Sequence, residues 1–224
     1  MIGVLLSVVP FGPNPRMRIL GVQKRVDERD ALFHRFYCMK EGTPEFEAYY
    51  KAHPEKFVLD EKIRSMPELG YPGSKTYDPM TSPFQMATFD VIERTTRDLE
   101  WEPQSVEPDS VPASQEAFTR RIKGFATYLG ADLVGTTKLN PAYIYSHIGR
   151  SPGKWGSPIT LNHPNAIAIA VAMDYTMIRL APKNTVTTES SFRYLEATKI
   201  AMIVARYINR LAMRPVRMWM EIIA

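Results

Sequence analysis

Cysteine is almost absent from this sequence. Cys38 is the only one among 224 residues, which excludes an internal disulfide bond. An iron–sulfur cluster needs about four thiolate ligands, so this chain by itself cannot hold one. The neighbours of Cys38, in the run Phe36-Tyr37-Cys38-Met39, are apolar, and we expect it to act as a small buried hydrophobic residue.

Histidine is scarce as well. The chain has four histidines, none paired at the spacing of metal ligands, and we expect each to be a surface or capping residue. The sequence shows no Ser-His-Asp or Cys-His arrangement and no paired carboxylates. The run Gly149–Gly156 superficially resembles a phosphate-binding loop, but its spacing is wrong, and Trp155 follows Lys154 where Ser or Thr would bind magnesium. We predict neither a metal site nor a nucleotide site, and interpret these glycines as positions of tight turns or close approach.

Long hydrophobic runs and blocks of one charge are also missing. The apolar stretch Met1–Val9 is far shorter than the roughly 20 residues of a membrane-spanning helix, and it lacks the basic start of a signal peptide. The net charge is +4, but Lys and Arg are scattered, which favours a solvated surface over nucleic-acid binding. We expect a cytoplasmic protein without a membrane span, or a membrane-associated one if the true start lies upstream.

The first part of the chain has the pattern of short helices joined by turns. A Gly- and Pro-rich segment, Gly70–Pro83, predicts surface turns. A second break, Pro103–Pro112, suggests a boundary that closes an irregular, helix-rich N-terminal extension, residues 1–112. Three helices are predicted within it: Val26–Met39, Glu45–His53 with Pro44 at its first position and Pro54 as its end, and Asp60–Met66.

From Ser114 the pattern becomes that of a regular α/β (α+β) core, residues 113–211. Ser114 is the expected N-cap of its first helix and Gly130 the expected stop. The strand Asn165–Met173 is a continuous apolar run, which predicts burial on both faces. The alternation of helix, strand, long connection, strand and helix indicates the fold class. The other predicted elements are a strand at Ala131–Thr136 and a last helix at Glu189–Leu211.

The last helix carries the most informative pattern. Tyr194 lies one turn from its start, at the end of a stripe of alanines, Ala197, Ala201 and Ala205. Helical spacing places the apolar residues on one face, and these are Ile200, Ile203, Val204, Tyr207, Ile208 and Leu211.

Three blocks of sequence stand in a definite order: Leu129–Gly135 with Leu139–Ser146, His163–Met173 with Ala181-Pro182, and Tyr194 with Ile200–Leu211. In order and spacing they resemble the corrinoid-dependent reductive dehalogenases. Upstream, Gly42–Tyr50 and His53-Pro54-Glu55 are similar to the N-terminal region of that family. The resemblance covers roughly Glu28 to Leu211.

The resemblance implies an oxidoreductase that removes halide from an organohalide. It implies a nitroreductase-like corrinoid-binding core, only part of which lies in this chain, followed by a domain with two 4Fe–4S clusters. Electrons from a donor pass through the clusters to cobalamin, and a tyrosine that matches Tyr194 donates a proton. A phenol is protonated at neutral pH and can do so. The alternative, that Tyr194 only packs, stays open, and no cofactor-binding residue is assigned.

The final thirteen residues, Ala212–Ala224, depart from the family pattern, in which Leu-Gly-Tyr and then Gly-Asn would follow. A gene that encoded that pattern with suitable codons would produce the observed tail after deletion of a single base. We therefore expect a fragment, truncated by a frameshift near Leu211 and inactive alone, with residues 212–224 out of frame.

Two other functions remain open. The chain is alternatively a corrinoid-binding module without redox chemistry, or a relative of the epoxyqueuosine reductases that act on tRNA. Scattered basic residues disfavour the second, because RNA binding needs a concentrated positive surface.

Overall fold

A computed structural model describes residues 24–97, 114–149, 154–161 and 163–211, with only the backbone of Tyr37, Cys38 and Arg97. The boundary predicted at residue 112, the tail 212–224 and the side chain of Cys38 therefore lie outside the described residues. Contacts divide the chain into two compact units. The described residues of Met1–Met66 and Leu139–Asn162 form the first, and those of Pro67–Lys138 and His163–Ala224 form the second.

The first unit is built from short helices. Its elements are a 3-10 turn at Glu28–Asp30, α1 (Leu32–Cys38), α2 (Pro44–Ala52), α3 (Pro54–Arg64) and a second 3-10 turn at Pro141–Tyr143. The single helix predicted over Val26–Met39 is wrong, because Ala31 is extended (φ −74°, ψ 137°) and separates the first turn from α1.

Two prolines set the helix boundaries in this unit. Pro44 begins α2 as predicted, behind Thr43, whose side chain accepts a hydrogen bond from the Phe46 amide. Pro54 ends α2 but also begins α3, so the predicted start at Asp60 is wrong. Proline suits the first helical position because the amide hydrogen it lacks has no partner inside a helix.

The core of the first unit is small and aromatic. Met39, Phe46 and Tyr50 are buried together, and Tyr49 and Trp155 pack against them. Arg25 ties the chain ahead of the first turn to the later segment, since its guanidinium donates to the carbonyl oxygens of Ile144, Tyr145 and Ile159.

The second unit combines helices with a two-stranded sheet. Its elements are α4 (Ser82–Arg97), α5 (Gln115–Tyr128), β1 (Leu133–Lys138), β2 (Asn165–Ala170), α6 (Tyr175–Ile178) and α7 (Asn184–Arg210). The segment before α4 is a run of turns, as predicted, but α4 itself was not predicted. No helix in the described ranges has the length and apolar character needed to cross a bilayer.

The sheet is antiparallel, so the described fold is α+β. Leu133 pairs with Ala170 at one end and Lys138 with Asn165 at the other. Burial of β2 on both faces is contradicted, since each of its residues is exposed or only half-buried. The reason is that β2 has one neighbouring strand among the described residues, and Val134, Ile167 and Ile169 are only partly buried where they pack against the core.

The core of the second unit lies where α5, α7 and the sheet meet. It consists of Ile122, Ala126, Ala131, Ile200, Val204 and Ile208. The predicted N-cap is confirmed, because Ser114 Oγ accepts a hydrogen bond from the Ala117 amide. Gly130 follows α5 with φ +111°, the left-handed conformation expected of a helix stop. Helix α7 begins at Asn184, earlier than predicted, and Ile203 of its predicted apolar face is 38% exposed.

Candidate functional site

Tyr194 lies in the first half of α7, half-buried. Its ring contacts Phe89 of α4, with centroids 6.0 Å apart and planes inclined by 51°. Its carbonyl oxygen accepts a hydrogen bond of 2.7 Å from Thr198 Oγ1. Its hydroxyl makes no hydrogen bond to a residue in the described part of the chain.

Polar contacts join the start of α7 to the start of α4 and to the turns before it. Asn184 Nδ2 donates to the Thr76 carbonyl oxygen at 2.7 Å and to Ser82 Oγ at 3.1 Å. Buried polar groups need such partners, because an unpaired one costs roughly 1–3 kcal/mol. Gln85 Oε1 is an exception, because it is buried and has no hydrogen-bond partner among the described residues. The buried polar residues of α4, α7 and the turns before α4 are Thr76, Ser82, Gln85, Thr88, Asn184, Glu189, Ser191 and Thr198.

A row of charged side chains lies along one side of α7. Arg193 Nε donates to Glu189 Oε1 at 2.6 Å, and its NH1 donates to Glu196 Oε2 at 2.5 Å. The bond to Glu189 raises the pKa of Arg193 above its ordinary value, although burial opposes it. Glu189 also accepts from the Asp174 amide at 2.6 Å. These contacts neutralise Arg193 and anchor the start of α6, and none of them reaches the Tyr194 hydroxyl.

The first unit brings a serine, a histidine and an aspartate together. Ser146 Oγ lies 2.9 Å from His147 Nδ1, and Asp27 Oδ2 lies 3.2 Å from the same nitrogen. A hydrolytic triad needs its nucleophile and carboxylate on opposite ring nitrogens, so this is not one. Burial alone would raise the pKa of Asp27, but hydrogen bonds from Arg29 outweigh it and lower that pKa.

The first unit contains a second histidine contact, between His34 and Glu28, and it is buried. His34 is 3% exposed, which corrects the expectation of a surface or capping residue. Its Nδ1 lies 2.6 Å from the Glu28 carbonyl oxygen, and its Nε2 lies 3.4 Å from Glu28 Oε1. Glu28 Oε2 accepts from the Gly149 amide at 2.6 Å. Because the pair is buried, its role is to join α1, the preceding turn and the later loop.

At its two described ends, the glycine-rich loop has the tight turn and the close backbone approach that its glycines predict. Gly156 has φ +75°, a turn conformation that favours glycine. A Cβ on Gly149 would lie 2.8 Å from the Arg29 backbone nitrogen, so only glycine allows this approach. Residues 150–153 of the loop lie outside the described part of the chain.

Sequence reasoning singled out Tyr194 but missed both histidine contacts. Asp27 and His147 are far apart along the chain, and no local spacing links them. In the described ranges, no group of three or more His, Cys, Asp or Glu side chains is arranged to hold a metal ion.

Comparison with models of known protein families finds no match, and a search of curated proteins finds no relative. Any family assignment therefore depends on the ordered sequence blocks and on how the fold arranges them.

Proposed function

We propose that this chain is the N-terminal part of a corrinoid-dependent reductive dehalogenase of the cytoplasm. The observation that carries the proposal is the arrangement of the three blocks that resemble the family. The first half of the first block includes the beginning of β1, the second block contains β2 and the third lies in α7, and these are elements of one unit, whereas the other half of the first block, Leu139–Ser146, belongs to the first unit. In this proposal the second unit is part of a nitroreductase-like core.

Tyr194 is the proposed proton donor. Its ring is held by Phe89, and its hydroxyl makes no hydrogen bond to a described residue, which leaves the proton free for a substrate. The overall reaction takes an organohalide, two electrons and one proton to the dehalogenated product and a halide ion. Cobalamin supplies the electrons when bound, and Tyr194 holds the proton at its phenol oxygen and delivers it to the carbon that loses halide.

The residues of this chain suit one of the two proposed cofactors better than the other. A single cysteine cannot provide the ligands of two 4Fe–4S clusters, so the clusters and the contact with an electron donor belong to protein outside this chain. A phenol suits the proton-donor position beside a corrinoid, but no residue here is assigned to cobalamin binding.

The gene provides the first test. We expect DNA beyond the Leu211 codon, read after restoration of one base, to encode Leu-Gly-Tyr, a Gly-Asn motif and a cysteine-rich segment. If no frame downstream encodes cysteines at cluster spacing, the proposal is wrong.

The second test is a substitution in the frame-restored, cobalamin-loaded protein. Tyr194→Phe removes only the hydroxyl, and we expect halophenol turnover to fall by roughly a hundredfold or more, the usual contribution of a general acid. The corrinoid absorbance of the purified protein should not change. The matched control is Tyr207→Phe on the same helix, whose ring packs on Phe125 at 5.0 Å and whose loss of a hydroxyl should leave turnover unaltered. Equal turnover in both variants would remove Tyr194 from the mechanism.

A further inference from the structure

Two aromatic rings meet in a part of α4 and α7 whose buried residues are polar. Phe89 and Tyr194 contact each other between the two helices, with ring centroids 6.0 Å apart. Neither ring belongs to the hydrophobic core described for the second unit, so core packing does not explain the pair. The buried residues that the structure describes in α4, and in α7 as far as Thr198, are Ser82, Gln85, Thr88, Asn184, Glu189, Ser191 and Thr198.

The buried hydroxyl groups near the two rings bond within their own helices. Thr88 Oγ1 donates to the Phe84 carbonyl oxygen at 2.8 Å, and Thr198 Oγ1 donates to the Tyr194 carbonyl oxygen at 2.7 Å. Each hydroxyl therefore already has the partner that a buried polar group needs. What these helices offer a ligand at this level is the aromatic pair.

Phe89 keeps part of its ring open to solvent. It is 40% exposed, although Gln85 one turn before it and Thr88 beside it are buried. The Tyr194 hydroxyl makes no hydrogen bond to a described residue and is not among the buried unpaired atoms, so it is open to solvent as well. An open aromatic surface and an unpaired phenol hydroxyl therefore lie next to each other.

We propose that Phe89 selects an aromatic substrate, because the ring of an aryl halide stacks on it beside the Tyr194 hydroxyl. Aromatic pairs in proteins have centroids about 4.5–7 Å apart, in offset or edge-to-face geometry. A ring at that distance from the open part of Phe89 lies within reach of Tyr194, which Phe89 already contacts. The halide chemistry in this inference rests on the proposed function, whereas the binding of an aromatic ring does not.

Binding of para-fluorophenol to the 224-residue chain, followed by fluorine NMR, tests the aromatic surface. We expect a dissociation constant on the order of millimolar, as for other ligands of so few atoms. Cyclohexanol has the hydroxyl but no aromatic ring, and it should not compete. Phe89→Leu keeps an apolar side chain but removes the ring, and it should raise the dissociation constant about three- to tenfold. Phe89→Tyr keeps the ring and should bind like the native chain.

The matched control is Phe192→Leu, which should leave the affinity unchanged. Phe192 is 39% exposed on α7, and its ring lies 5.2 Å from the guanidinium carbon of Arg193, away from the Phe89 contact. Circular dichroism checks that each variant is folded. If Phe89→Leu does not fold, nuclear Overhauser effects between the ligand and the Phe89 ring of the native chain replace it, and their absence overturns the proposal. No binding by the native chain, competition by cyclohexanol, or equal losses in the two leucine variants would overturn it too.

Turnover separates this inference from the proposed function. In the frame-restored, cobalamin-loaded protein, Phe89→Leu should raise KM for a halophenol about three- to tenfold with little change in kcat, and it should leave kcat/KM for a chloroalkene unchanged. Equal effects on the two substrates would refute selection by Phe89. If the restored native protein turns over no organohalide while the chain still binds para-fluorophenol through Phe89, the proposed function fails and the aromatic site stands.

Discussion

Replacement of Asp60 by asparagine should destabilise the first unit strongly. Arg35 of α1 donates from Nε to Asp60 Oδ2 at 2.6 Å and from NH2 to Oδ1 at 3.0 Å. Tyr50 of α2 donates its hydroxyl to Oδ2 at 2.9 Å. The side chains of Arg35 and Asp60 are 9% and 3% exposed. One carboxylate of α3 therefore joins α1, α2 and α3, the three α-helices in the described part of this unit.

The expected loss of stability follows from the positive charge of Arg35, which remains after the substitution. Asparagine keeps the shape of the side chain but leaves the Arg35 guanidinium buried without a counter-charge. Removing one partner of a buried pair costs about 3–5 kcal/mol, a large part of the roughly 5–15 kcal/mol that stabilises a whole protein. Replacing both partners, as Arg35→Met with Asp60→Leu, should cost less than Asp60→Asn alone, because no charge is then left buried.

The contribution of Asp60 to the free energy of unfolding depends on pH with a definite sign. Burial alone would raise the pKa of Asp60, but hydrogen bonds from Arg35 and Tyr50 outweigh it and lower that pKa below its ordinary 3.8. A carboxyl with a depressed pKa contributes stability that is present above pH 3.8 and is lost as pH falls through the folded-state value. The stability difference between the native protein and Asp60→Asn should therefore shrink below pH 3.8.

The assay is urea unfolding, with hydrogen exchange of α1 and α3 to localise the effect, because a protein with two compact units need not unfold in a single step. Asp90→Asn, which changes an exposed carboxylate on α4, is the control and should stay within about 0.5 kcal/mol. A loss of less than about 1 kcal/mol at pH 7, or a difference that is the same at pH 7 and pH 3, would refute the reasoning.

Two further substitutions test the packing in each unit. Ile200→Ala removes a side chain that is 1% exposed and should lower the free energy of unfolding in urea by about 2–5 kcal/mol. Ile203→Ala, at a side chain 38% exposed on the same helix, should lower it by less than about 1 kcal/mol. Similar losses in the two variants would contradict the placement of Ile200 in the core. Gly149→Ala should destabilise the first unit by about 1–3 kcal/mol, because its Cβ would meet backbone atoms of Glu28 and Arg29 at 2.8 Å. Gly124→Ala, in mid-α5 with nothing within 4 Å, should instead stabilise the protein by roughly 0.5–1 kcal/mol, and a gain at both glycines would contradict the close approach.

Helix ends were the part of the fold most readily predicted from the sequence. Pro44 and Ser114 begin helices where expected, and Gly130 ends one. Each of these signals acts between residues three or four apart, so it is readable without the tertiary structure. The break at Ala31 and the start of α3 at Pro54 were missed, because a helical pattern of apolar residues says little about where a short helix stops.

The candidate site was predictable only in part. Tyr194 stood out because it ends a row of alanines on a long amphipathic helix, and that pattern is local. Its contact with Phe89 was not predictable, because α4 was not predicted and the two residues are more than a hundred positions apart.

The sequence by itself determined the local elements: the caps, the turn-rich segment before α4, the long last helix and the scarcity of cysteine. The tertiary structure alone decided which distant groups meet. It paired β1 with β2 antiparallel, joined Arg35 to Asp60, and brought Phe89 of α4 against Tyr194 of α7. The physical reason is that burial and ion pairing depend on neighbours in space, and a helix with two mixed faces does not reveal which of them is covered.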